Sequence, residues 1–295
     1  MYKMLAELNN LIVYSIAFLG LAIASYTDLR TREVPDWLNY GLIGTGIGLS
    51  LIFSVIYWKF EFIVNSLIGL LILFTIAWIM FYTRQWGGGD SKIIMGLGAL
   101  IGVDVFAGEI PFLGHFFVNA LFVGAAYGMF WSFYLAFKNR KKFMKEFKKI
   151  AMNKKIKEIK KWLLILFFVL ILLVIFSDQY STKIILAYFG LLILLTFYVF
   201  IFIKSVEKSC MLSYVDPKVL TEGDWVAKEV KVKGKYIAGP KDLGVEKKQI
   251  RQLIKLYKEK KIKKVLMKIG IPFVPSFFVA FVITLVYGNL VFLII

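Results

Sequence analysis

Cysteine and histidine are almost missing from this chain: each occurs once in 295 residues, as Cys210 and His115. A single cysteine excludes an intramolecular disulfide and any zinc module held by several thiolates. His115 falls near the outer boundary of a membrane span with no metal-ligating neighbour in sequence, and Cys210 has no histidine on its own side to serve as a base, so both are read as structural. Charge is scarce as well, with Asp, Glu, Lys and Arg at 19% against roughly a quarter in an average soluble domain. A soluble globular protein is therefore excluded. Acid is the scarcest charge, 19 Asp and Glu against 37 Lys and Arg, for a net charge of +18.

What is abundant is apolar: hydrophobic types make up 59% of the chain and aromatics 17%. They are concentrated in blocks of about 17 to 25 residues, the length that crosses a bilayer. Spans are expected at about 11–27, 40–58, 62–82, 91–107, 112–137, 162–176, 184–203 and 271–294. Runs such as LLILFFVLILLVIF (163–176) are apolar on every side, which suits helices rather than the alternating strands of a barrel. The fold class that follows is an all-α polytopic membrane protein, a bundle of about eight transmembrane helices (six to eight) with a small extramembrane domain before the last. The first span lacks a basic n-region and a cleavage site, so it is read as retained.

The distribution of charge sets the expected orientation. Of the 37 Lys and Arg, all but Lys3, Lys59 and Lys183 lie in segments 28–39, 83–92, 138–161 and 204–270. The positive-inside rule places those segments in the cytoplasm and the N-terminus outside, in a multi-pass protein of the cell membrane. The chain then divides into a catalytic transmembrane core of five spans (1–137), a basic cytoplasmic linker (138–161), a hydrophobic hairpin (162–203), a small cytoplasmic domain (204–270) and a last transmembrane helix (271–295). The hairpin is read either as two spans or as a re-entrant pair. Within 204–270 a turn-rich first half precedes an amphipathic helix expected from about Val245 to Lys268. The linker, with Phe143, Phe147 and Ile150 spaced among lysines, suits either an anionic lipid surface or a solvated helix. Nothing resembles a nucleic-acid reader, and no nucleic-acid partner is expected.

Ionisable groups at membrane depth are costly, and each is a functional hypothesis. Asp28 closes the first span in SYTDLRTREVPDWLNY, and Asp90 opens the fourth in WGGGDSKIIMGLGALIG. Topology puts both at the cytoplasmic face and at one depth. Two carboxylates a few Å apart share one proton. The ionised member can take a proton from water attacking a peptide carbonyl, while the protonated one serves the oxyanion and the leaving amine. No metal or cofactor is required. The glycines Gly87, Gly88 and Gly89 would allow positive φ and close approach of a substrate strand. The other reading of these residues is structural, with Asp28 and Asp90 as helix caps and Asp90 as an N-cap. GGGDSK is not a phosphate loop, because the Walker spacing and the preceding strand are both missing. Gly98 and Gly102 read as a helix-packing face. Asp104 and Glu109 sit near the outer boundary and do not meet the dyad.

Gly87 to Asp90 with Lys92 reads as GxGDxK, and Asp28 is followed seven residues later by Pro35. In these motifs the chain resembles the GxGD intramembrane aspartic proteases, specifically the archaeal type IV prepilin and preflagellin peptidases. Residues 244–285 are similar to the C-terminal portion of archaeal members, while the hairpin at 162–203 has no counterpart and reads as an insertion. The resemblance implies an aspartic endopeptidase with Asp28 and Asp90 as catalytic residues and no cofactor. Its substrates would be type IV pilin-like or archaellin precursors with a short basic leader and a Gly before the scissile bond. The short, cysteine-free loop 28–39 implies the cleavage-only kind, with no N-methylation. Asp36 stands where many relatives carry Asn; Asp36 and Glu33 are candidates to attract the basic leader. Two other classes stay open on the residues alone: a transporter binding protons or cations at Asp28 and Asp90, and a pilus-assembly scaffold that docks partners on its basic domain.

Overall fold

A computed structural model describes residues 2–104 and 110–294; Glu109 and the end of the fourth expected span lie outside the described residues. The chain folds into helices α1 (Tyr2–Thr31), α2 (Asp36–Tyr57), α3 (Glu61–Tyr82), α4 (Gly88–Ile101), α5 (Phe112–Lys138), α6 (Arg140–Ala151), α7 (Lys154–Phe176) and α8 (Tyr180–Val206). A small α/β domain follows, with strands β1 (Leu212–Val215), β2 (Trp225–Val226), β3 (Val230–Val232), β4 (Lys235–Ala238), helix α9 (Lys247–Lys258) and strand β5 (Val265–Lys268). Helices α10 (Val274–Tyr287) and α11 (Val291–Ile294) end the chain. Among the described residues, six helices are long and apolar enough to cross a membrane: α1, α2, α3, α5, α7 and α8 with its short C-terminal extension. The protein is an all-α polytopic membrane protein with two small sheets outside its bundle.

Two of the expected spans are shorter than the hydropathy suggests. α4 and α10 have 14 residues each, about 21 Å of helix against a hydrocarbon core of about 30 Å. α4 stops because Gly102 turns to φ +73° and the next amide, Val103 N–H, is given to the carbonyl of Asn65 on α3 (2.9 Å). α10 stops at Gly288 (φ +70°), where the buried Asn119 side chain of α5 takes over the backbone. Its amide nitrogen donates to Thr284 Oγ1 (2.9 Å) and to the Gly288 carbonyl (2.7 Å), and its oxygen accepts from Leu290 N–H (2.9 Å). No apolar periodicity announces either stop, because each depends on a partner from another helix.

α4 is wedged between α2 and α3 by glycines that let backbones touch. A methyl group at Gly98 would lie 2.5 Å from the Gly69 carbonyl oxygen on α3, and one at Gly46 of α2 would lie 2.5 Å from the Ala99 carbonyl carbon. Membrane helices gain little from burying apolar surface against one another, so this close packing supplies the attraction instead. α10 threads between α1 and α5, with Phe277, Ala280 and Phe281 fully buried. The Trp86 ring, just before the GGGD loop, stands edge-on to Phe277 at 5.1 Å. One continuous core thereby joins the N-terminal helices to the C-terminal one.

The remaining elements differ from the sequence reading in three places. The 162–203 hairpin is a pair of full-length helices packed on each other, and α7 begins eight residues early because its lysine-rich first turns simply continue the helix. The apolar stripe of α6 packs on α8, with Phe147 and Ile150 against Phe197 and Ile201. In the α/β domain the expected helix over 245–268 ends at Lys258. Residues 265–268 form instead the central strand of the antiparallel sheet β1-β5-β2, Val265 facing Val215 and Lys268 facing both Leu212 and Trp225. Pairing with strands some 41 to 56 residues earlier in the chain overrides the local helical pattern, since β preference is set largely by cross-strand neighbours. α9 closes the domain by burying Leu253 against Val226, Ile237, Val245 and Val265.

Candidate active site

Asp28 lies in the last turn of α1 and is 5% exposed. Its Oδ2 accepts a hydrogen bond from Val274 N–H (3.0 Å), one of the orphan donors at the start of α10. α1 then ends at Arg32, which takes the left-handed conformation (φ 59°). Its guanidinium donates to the Gly270 carbonyl just ahead of α10. The first candidate aspartate is thus held by the far end of the chain, 246 residues away.

Asp90 is reached from the other side. α3 ends in a left-handed Arg84 (φ 61°), and Gly87 caps α4 with extended backbone (φ −74°, ψ 169°). Asp90 is the third residue of α4, and its Oδ2 accepts from Gly87 N–H (2.9 Å). Asp90 therefore is not an N-cap; it reaches back to the cap from inside the first turn, where the helix dipole favours a negative group. Asp28 and Asp90 lie within electrostatic reach of each other. The N-termini of the two short helices, α4 and α10, converge on this pair.

The glycines of the loop have a different reason from the one expected. None of Gly87, Gly88 and Gly89 has a positive φ. Gly89 faces Val34, the buried residue before Pro35, and a methyl there would meet Val34 Cβ at 3.3 Å. A methyl at Gly87 would approach Asp90 Oδ2 at 3.2 Å, whereas at Gly88 its nearest neighbour is Phe81 at 3.9 Å. Tight packing, of Gly89 against the Asp28 loop and of Gly87 against the Asp90 carboxylate, rather than backbone freedom, favours glycine at the first and third positions.

Pro35 caps α2, accepting from Leu38 N–H at 3.1 Å, and sets the first helical residue, Asp36. Asp36 Oδ1 pairs with Lys92 Nζ at 2.5 Å, and the ammonium also lies 5.4 Å from the centre of the Tyr40 ring. These two candidate residues are one exposed ion pair that links the start of α2 to α4. Glu33 stays exposed on the α1–α2 loop, close enough to Asp224 of the α/β domain to repel it; burial first, and Glu33 last, raise the Asp224 carboxyl above the ordinary range against a lowering hydrogen bond from Thr221 N–H.

Sequence reasoning missed the two arginines and the start of α10. Arg84 Nη1 donates to the Pro240 carbonyl (2.5 Å) and Nη2 to the Lys241 carbonyl (3.0 Å), so the loop after Asp28 and the loop before Asp90 each carry an arginine that grips the segment between α8 and α10. The turn that Arg84 grips is itself fixed by Asp242, whose Oδ2 accepts from Tyr236 Oη (2.9 Å), Gly239 N–H (3.0 Å) and Gln249 Nε2 (3.1 Å). No motif signals these contacts. The one available hint is GIPFVP (270–275), whose prolines and glycine mark a built entry into the last helix.

Residues 15–134, which include both aspartates and the GGGD loop, match the type IV leader peptidase family. More particularly, the chain is similar to archaeal preflagellin peptidases. It is 41% identical to that of Methanococcus voltae, 37% to that of Methanococcus maripaludis and 35% to that of Methanocaldococcus jannaschii, each over 91 residues. Each match covers 31% of this chain and 38 to 39% of the relative, so the aligned part spans well under half the length of the curated relatives.

Proposed function

We propose that this protein is a membrane-embedded aspartic endopeptidase that removes the basic leader from preflagellin or other type IV pilin-like precursors. The observation that carries the reading is that Asp28 and Asp90, from two separate motifs, lie within electrostatic reach of each other, each bonded to the N–H at the start of a short helix, α10 and α4. The similarity to preflagellin peptidases supports the substrate class.

In this mechanism the dyad holds one proton between its two carboxyls. The ionised carboxylate takes a proton from a water as that water attacks the scissile carbonyl. The protonated one donates to the carbonyl oxygen, and the tetrahedral intermediate collapses when the leaving amine is protonated. The α4 and α10 termini contribute fixed positive potential, which costs no reorganisation as negative charge develops. The segments that lead into the two helices, 83–87 and 269–273, are non-helical, which a membrane protein tolerates where they line a polar cleft.

The site faces the cytoplasm in this proposal, with the N-terminus outside, since the basic loops adjoin both aspartates. Cleavage proceeds without N-methylation. Glu33, exposed beside the dyad, attracts the basic leader, while Asp36 is already neutralised by Lys92 and contributes position; the lysines of α6 and α7 meet anionic lipid headgroups. The test is cleavage in membranes of a tagged precursor bearing a basic, Gly-ended leader. Wild type should cut after the Gly, and Asp28→Asn and Asp90→Asn at equal expression should each lose at least about a thousandfold in rate, in line with removal of an essential acid or base. Cleavage by either variant near the wild-type rate would overturn the dyad, and charge reversal at Glu33 should raise KM for basic leaders with kcat held.

A further inference from the structure

The seam between α5 and α10 beside Asp28 contains a polar group that the cleavage chemistry above does not use. Gly124 of α5 lies against the Phe273 ring, where a methyl would come within 2.7 Å of its Cζ. Phe273 directly precedes Val274, whose amide binds Asp28. One turn further along the same face of α5 is Tyr127. Its ring packs on Trp131 (5.8 Å between centroids), and among the described residues its buried hydroxyl oxygen has no hydrogen-bond partner. Tyr127 lies within electrostatic reach of the Asp28 carboxylate.

A buried phenol without a partner is uncommon in proteins, because the group was hydrogen-bonded to water before folding. Here it lies within electrostatic reach of a carboxylate of which one oxygen, Oδ2, is taken by Val274 N–H. A phenol that has already lost its water gains by serving such an acceptor, because hydrogen bonds to an ionised acceptor are the stronger kind. Phenylalanine would fill the same space, so the hydroxyl is not there for packing.

We infer that Tyr127 is a positioning residue of the active site, its hydroxyl donating to the Asp28 carboxylate so that Asp28 is the member of the dyad held ionised. Asp28 then takes the proton from the attacking water and Asp90 carries the proton given to the carbonyl oxygen. The assignment rests on the protease reading and deepens it, since the two carboxyls by themselves do not say which is acid and which is base.

The experiment compares purified full-length wild type, Tyr127→Phe, Tyr127→Ala and Asp28→Asn in lipid vesicles, cleaving the same tagged precursor across pH. Tyr127→Phe should lower kcat about tenfold with KM within twofold. It should also move the acid limb of the kcat profile to higher pH, because a carboxylate with one donor fewer takes up its proton more readily. Thermal stability should stay within about 2 °C of wild type for Phe and fall for Ala, which separates the hydroxyl from the ring. Wild-type kinetics in Tyr127→Phe, or a loss confined to KM or to stability with an unmoved pH profile, would overturn the assignment while leaving the protease reading intact. Failure of wild type to cleave any precursor, or cleavage by Asp28→Asn, would overturn both.

Discussion

The α7–α8 hairpin and the helices around the dyad answer opposite demands, although both are apolar. α7 is the most apolar of the six long helices and buries the smallest share of its length, whereas α1, among the least apolar, buries the largest. Hydropathy in this chain measures contact with lipid. Contact with protein is marked instead by small and polar residues: Gly46, Gly69, Gly98, Ser25 and Asp28. In lipid an apolar face gains nothing by turning inward, whereas glycine contacts and a carboxylate receiving a backbone N–H are satisfied only by a neighbouring helix.

The largest test of that contrast pairs Gly98→Leu with Leu173→Ala. Leucine at 98 has no room against the Gly69 carbonyl and should prevent recovery of folded protein, overpacking there exceeding about 3 kcal/mol. Leu173, half exposed on α7, should cost no more than about 0.5 kcal/mol. Thermal inactivation in detergent measures both, and equal losses would mean that the hairpin packs like the core. Next in size, Gly89→Ala should lower the cleavage rate about tenfold or more by pushing apart the Val34 and Asp90 loops, while Gly88→Ala stays within about twofold. Similar rates for the two would show that loop spacing does not control the dyad.

Smaller effects belong to the α/β domain, whose links to the Asp90 loop run through an exposed side chain. Arg84→Ala removes two hydrogen bonds to the 240–241 backbone and should slow cleavage by about two- to fivefold, consistent with roughly 1 kcal/mol or less per exposed bond. Limited proteolysis near 240 should quicken at the same time; an unchanged pattern would sever the connection. The smallest effect is one of pH. Partial burial and the hydrogen bond to Asp242 push the Tyr236 phenol up to about 12, so the fold favours its neutral form. That stabilisation is complete below pH 10 and disappears as pH rises toward 12. Hydrogen exchange across 235–249 should accelerate in that window, and Tyr236→Phe should abolish the change.

How far the sequence could be read depended on whether a feature had a local cause. The six long spans and the Asp28–Pro35 and GGGD motifs lie within short windows, where hydropathy and spacing suffice. The extent of α4 and α10 was not legible, because Asn65 and Asn119 end them from other helices. Neither was the strand at Val265–Lys268, since the lysine-rich stretch before it is consistent with helix until β1 and β2 are present to pair with it. The purpose of Gly89 was misread for the same reason: its neighbour Val34 is 55 positions away in the chain.

By itself the sequence determined the membrane class, the places of the six long helices among its apolar runs and the two aspartates worth singling out, all of which follow from which side chains lipid accepts and which it does not. Only the tertiary structure decided that Asp28 is held by the amide of Val274, that Asp36 and Lys92 form one pair, that Arg32 and Arg84 bind the segment between α8 and α10, and that the Tyr127 hydroxyl is buried in α5. Each of these joins groups distant in sequence, and hydrogen bonds and close packing act over about 3 to 4 Å of space whatever the separation along the chain.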